Sequence, residues 1–111
     1  MPTVNIYQSS NEYENKLKIA TPALKELVAT ELSGSSIKLK TDEVSVRIID
    51  TRGDGILTKV ELEIHAAAFE ERVKKQDEIC LKVKDYLENA LNTKINVWLI
   101  LSELGHSWQN T

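Results

Sequence analysis

Apolar and polar positions along this chain follow two different periods, and the switches between them mark its elements. Val4 and Ile6 alternate with Thr3 and Asn5, which predicts a strand over 2–7. Pro2 suits the first strand position, where a missing N–H breaks no ladder bond. Tyr13, Leu17 and Ala20 then take helical spacing, enough for a short helix. A stronger helix start follows at Thr21-Pro22, a capping residue ahead of a proline at the first helical position. Leu24, Leu27, Val28 and Leu32 form its buried stripe, and Ser33-Gly34-Ser35-Ser36 ends it with Gly34 as the cap.

After a connector over 37–42, alternation returns. Val44, Val46 and Ile48 interleave with Ser45, Arg47 and Ile49, a second strand. Residues 50–55 carry turn chemistry. A third strand over 57–65 places Thr58, Val60, Leu62 and Ile64 on one face. Lys59, Glu61, Glu63 and His65 fall on the other. The helical period resumes over 69–91, with Val73, Cys80, Val83, Leu87 and Leu91 as its stripe, widened by Ile79 and Tyr86. Asn92 and Thr93 close that helix. The last strand, 95–101, is almost continuously apolar beyond Asn96, which predicts cover on both faces.

The order is strand–helix–strand, twice. This is an α+β chain of two βαβ halves, forming a four-stranded mixed sheet with two helices on one face, in a single domain over 1–111. The second face then needs a partner, and Ile49, Leu57, Trp98 and Ile100 are left for it. Self-association would cover it. A ferredoxin-like βαββαβ binding module is the rival arrangement, with the second and third strands joined as a hairpin through Gly53-Asp54-Gly55.

Composition narrows the function classes. A net charge of −3 gives no basic face for nucleic acid. No apolar run has the length to span a bilayer, and the first residues lack the charged and apolar regions of a signal peptide, so the expected location is the cytoplasm. The lone Cys80 permits no intrachain disulfide and sits on the apolar side of its helix, as a buried structural thiol. His65 and His106 have no metal-ligand spacing with each other or with Cys80. Gly53-Asp54-Gly55 is too short to cradle phosphate, and Glu61 with Glu63 beside Lys59 reads as a solvated or ion-paired face.

Candidate chemistry concentrates at Pro2. If Met1 is removed, Pro2 carries a free secondary amine at the head of a strand, and burial would lower its pKa into the range of a useful base. With the two βαβ halves and the apolar last strand, this start resembles the tautomerase superfamily. Val97-Trp98-Leu99-Ile100-Leu101-Ser102-Glu103-Leu104 and Ser107-Trp108-Gln109-Asn110 look like the last strand and tail of its macrophage migration inhibitory factor branch. Val46-Arg47-Ile48-Ile49-Asp50-Thr51 is similar to a strand end of its 5-carboxymethyl-2-hydroxymuconate isomerase branch.

The resemblance implies a homotrimer with Pro2 as base and acid, acting without a cofactor on a small carboxylate such as a 2-oxo acid or its enol. It implies that Trp98 lines the proline pocket of a neighbouring copy, or else serves only as core. The isomerase branch's two arginines fall here on Glu43 and Ser45, so Arg47 is the substitute cation, or else an ion-pair partner of a glutamate. The lysine that follows the first helix in the cytokine-like branch has Lys38 and Lys40 nearby. Glu43 would repel an anion. A trimer that has lost catalysis and serves as a binding protein therefore stands beside the enzyme.

Overall fold

The computed structural model describes residues 2–35, 37–53 and 58–103. Its elements are β1 (Thr3–Gln8), α1 (Glu14–Leu32), a 3-10 turn (Thr41–Glu43), β2 (Ser45–Asp50), β3 (Val60–Ala67), α2 (Glu70–Lys74), α3 (Gln76–Leu91) and β4 (Asn96–Ser102). The strands form one sheet in the order β2-β1-β3-β4. β1 runs parallel to β2 and antiparallel to β3, and β3 runs parallel to β4. This is the four-stranded mixed sheet expected, with α1 and α3 against one face. β1 separates β2 from β3, so the hairpin of the ferredoxin-like alternative does not form.

Alternation sorts the sheet residues. Val4, Ile6, Val60, Leu62 and Ile64 point to the helices and are fully buried. From α1, Leu17, Ala20, Leu24, Val28 and Leu32 meet them; from α3, Ile79, Val83, Leu87 and Leu91. Each helical set recurs every three or four residues, the spacing that keeps one helix face on the sheet.

Two helix boundaries depart from the sequence reading. α1 runs straight through Thr21-Pro22, so Thr21 is no cap. The stripe from Leu17 to Leu32 is unbroken across the proline, and its burial outweighs a proline penalty of about 3 kcal/mol. Pro22 cannot donate to Lys18, and the Thr21 hydroxyl donates instead to the Leu17 carbonyl at 2.7 Å. The second helix breaks at Lys75 into α2 and α3. Val73 lies off the face set by Ile79 and Val83 and is exposed, while Arg72 turns inward. The αL residue Asn92 closes α3, as expected.

Gly34 is not a left-handed cap. α1 ends on Ser33, whose hydroxyl donates to the Ala29 carbonyl at 2.7 Å. A Cβ at 34 would collide with Glu71 Oε2, so a side chain there would have to push that flexible carboxylate aside. Glu71 accepts from the Ser35 hydroxyl and from the Ser35 N–H at 2.9 Å. Those two donors, the hydroxyl first, hold the Glu71 carboxyl below the usual carboxylate range. The stabilisation it contributes is present above its unfolded-state pKa and is lost as pH falls through the folded value. Gly34→Ala displaces Glu71 from Ser35. Its carboxyl then titrates nearer the ordinary range, a shift that an NMR pH titration of the side chain reads directly.

Candidate functional site

Pro2 is buried at the head of β1, a central strand. Its carbonyl accepts from Ser45 N–H at 3.0 Å, which ties it to the start of β2. Thr3 pairs with His65, so one further step of the antiparallel register brings Pro2 opposite Ala66. The proline therefore lies where the beginnings of β1 and β2 meet the end of β3. By strand alternation it shares the helix-facing side with Val4 and Ile6.

The other residues predicted from the sequence lie elsewhere in the chain. Arg47 is exposed on β2 and faces the side of the sheet that no helix covers. Among the described residues it makes no ion pair, and Asn5 of β1 stands between it and Glu63 of β3. Trp98 occupies the same cross-strand row on β4, beyond Glu63. Three strand spacings, about 14 Å, separate Arg47 from Trp98. Lys40 is exposed just ahead of the 3-10 turn, at the Pro2 end of the sheet. Its N–H donates to Glu43 Oε1 at 3.1 Å, so the Glu43 carboxylate folds back on its own turn. One copy of the chain does not gather Pro2, Arg47 and Trp98.

The uncovered face has a polar stripe through its middle. Tyr7 donates to Glu63 Oε1 at 2.8 Å, and the same oxygen lies 3.4 Å from His65 Nε2. That hydrogen bond to Glu63, with burial second, raises the Tyr7 phenol above its ordinary value. The Trp98 indole N–H donates to Glu61 Oε1 at 3.0 Å and is thus already committed within the chain. Asn5 Oδ1 is buried with no hydrogen-bond partner among the described residues. Large apolar groups flank the stripe: Trp98 is 53% exposed and Ile100 40%. Leu57, which the pattern assigned to this face, lies outside the described residues, as do Gly105, His106 and Trp108.

The remaining candidates settle locally, and Lys59 pairs with Glu12 at 3.2 Å rather than with Glu61 or Glu63. Cys80 is half-buried and its thiol donates to the Val97 carbonyl at 3.2 Å. Burial, aided by Asp77, pushes that thiol up, away from a reactive thiolate. Among the described residues no group of three or more histidine, cysteine or acidic side chains could hold a metal ion, and no helix is long and apolar enough to cross a membrane.

A cleft that sequence reasoning missed lies near the Pro2 end of the sheet. It has a volume of about 300 Å³ and is lined by the end of α1, the following loop and the start of α2. Arg72 lines it while being only 5% exposed. Its Nε donates to the Leu32 carbonyl at 2.9 Å and its Nη1 to the Ala67 carbonyl at 3.0 Å. Phe69 lies over the guanidinium, with 4.6 Å from its central carbon to the ring centre. No sequence signal marked it: the helical stripe includes Val73, and only the structure exposes Val73 and turns Arg72 inward.

No family model matches the chain, and no curated protein matches it. Solved structures do. The macrophage migration inhibitory factor-like protein from Entamoeba histolytica is similar with a TM-score of 0.66 at 13% identity, over 96% of this chain and 95% of that one. Macrophage migration inhibitory factor from Trichinella spiralis gives 0.62 at 12% identity, over 98% and 97%. A fused 4-OT wild-type asymmetric trimer gives 0.68 at 10% identity, over 96% and 94%. Likeness at such identities is likeness of architecture, and it extends over nearly the full length of each chain. The sheet order, the two crossover helices and these superpositions together give the chain the tautomerase fold.

Proposed function

We propose that this protein is a keto–enol tautomerase or isomerase acting on a small 2-oxo acid or its enol, with Pro2 as the base. The observation that carries the reading is the buried proline at the head of a central strand of this fold. With Met1 removed, Pro2 is a secondary amine, and enclosure of that amine would disfavour its charged form. It takes a proton alpha to the substrate carbonyl and returns it to oxygen or carbon. A nearby cation steadies the developing enolate.

The working unit in this reading is a homotrimer. Its uncovered sheet faces meet one another, burying Trp98, Ile100 and Ile49 around the polar stripe. Arg47 and Trp98 then serve substrate binding in sites shared between copies, with Lys40 at the rim. Support for assembly comes from the half-apolar face with its exposed tryptophan, and from the fused 4-OT trimer among the similar structures. A solution mass of three times the 12.5 kDa chain is the expected result.

A catalytically silent trimer is the second reading. It is favoured by one observation, that Arg47 and Pro2 occupy opposite sides of the sheet in a single chain. Turnover separates the two. Protein whose intact mass proves loss of Met1 should ketonise phenylpyruvate enol, and protein that retains Met1 should not, because its Pro2 nitrogen is an amide without basicity. Absence of turnover over a panel of arylpyruvates and muconates, on protein with free Pro2, would sink the enzyme.

A further inference from the structure

Among the described residues Arg72 is the one charged side chain that is buried. None of their carboxylates pairs with it, and burial alone pulls its guanidinium below the ordinary value. A buried charge is costly unless it is paired. Its Nε and one Nη1 hydrogen are used on the Leu32 and Ala67 carbonyls. Those are the hydrogen bonds that Arg72 makes to described residues, and the residue lines the cleft. Two carboxylates share the lining: Glu71 turns its oxygens to Ser35 and keeps its charge, and Glu70 pairs with Lys74 at 3.1 Å. Leu32, Ile37 and the half-exposed Phe69 supply an apolar wall.

We propose that this cleft binds the carboxylate of a small organic acid, with Arg72 as the forked donor and the acid's organic remainder against Leu32, Ile37 and Phe69. A guanidinium presents parallel N–H groups that match a carboxylate, and a cleft of about 300 Å³ suits a small aryl or alkyl acid. The position bears on Pro2. Ala67, which anchors the guanidinium, lies two residues beyond the partner of Thr3 and so at the Pro2 end of β3. As a substrate site the inference rests on the tautomerase reading; as a binding site it stands on the cleft.

Arg72 also ties the end of α1 to the end of β3, and a purely structural staple would look the same in a single chain. The test therefore measures binding by NMR titration, with phenylpyruvate and its methyl ester as probes. Wild-type protein should bind the acid saturably, with shifts at Ile37 and Phe69, and the ester about tenfold more weakly or worse. Ile37→Glu places a competing carboxylate in the cleft without removing the staple. It should weaken the acid about tenfold or more while the melting temperature holds. Arg72→Lys keeps the charge but loses the fork, and about a tenfold loss is expected there too.

A wild-type protein that binds neither probe, or both equally, would overturn the proposal, as would Ile37→Glu or Arg72→Lys protein that binds the acid normally. Pro2→Ala keeps the reading of the base separate. Unchanged turnover in that variant, with binding lost in Ile37→Glu, removes Pro2 as base and leaves the cleft intact.

Discussion

Replacing Pro2 by alanine should, on the proposed mechanism, lower ketonisation of phenylpyruvate enol by about two to four orders of magnitude, the usual contribution of a positioned general base. Alanine at the second position also offers a free amine once Met1 is removed, so the loss tests more than the presence of an amine. A primary amine differs from proline's in basicity and in freedom to rotate, and alanine lacks the ring that fixes the nitrogen relative to β1. The fold should hold, because the contact that anchors this residue uses its carbonyl, accepting from Ser45. Circular dichroism and solution mass like those of the parent, with turnover lost, is the expected combination. A variant that turns over at the parent rate removes Pro2 from the mechanism.

The second large effect is on stability. Leu62→Ala should destabilise the protein by about 2–5 kcal/mol, the range for deleting a fully buried leucine where the surroundings cannot close the gap. Leu62 sits on β3 opposite Ile6 of β1 and beside Val97 of β4, with helices over it, so both neighbouring strands and the helical layer would have to move to fill the void. Against a typical stability of about 5–15 kcal/mol this is a large fraction. Urea unfolding followed by circular dichroism should show the midpoint fall with little change in slope. Leu81→Ala on α3 is the control. Its side chain is 56% exposed, and the change should stay within about 0.5 kcal/mol.

The sheet was legible because its alternation is clean. Val60, Leu62 and Ile64 against Glu61, Glu63 and His65 assign β3 and its faces from sequence alone, and the structure keeps that assignment. The same logic identified an unpaired second face, with Trp98 and Ile100 left over. Local signals misled where a longer pattern overrode them. Thr21-Pro22 has the residues of a helix start, but Leu17 and Ala20 extend the buried stripe behind it, and packing carried the helix through. Gly34 looked like a cap because glycine so often is one; what a side chain there would meet is Glu71, thirty-seven residues along the chain.

The candidate site was legible only in part. Pro2 is conspicuous by position, and the structure buries it at the head of β1. Arg47, Trp98 and Lys40 were placed by resemblance. A single chain keeps them apart, because β1 and β3 stand between the strands that carry Arg47 and Trp98. Arg72 was invisible for a physical reason. Periodicity marks buried positions by their apolar residues, and a charge that satisfies itself on two backbone carbonyls from distant elements leaves no such mark.

The sheet order also governs how the chain comes to fold. β1 leaves the ribosome before the other three strands, yet Val4 finds its partners at Val46 and Ile64. Until β3 has emerged, one side of β1 has no ladder, and β4 cannot dock until β3 is in place. Such long-range pairing pays loop-closure entropy before any contact rewards it, which slows folding relative to a helical bundle of equal length. α1, a 19-residue helix built on local hydrogen bonds, is the element able to form early. The first strand therefore waits for most of the sequence to follow before both of its ladders can form.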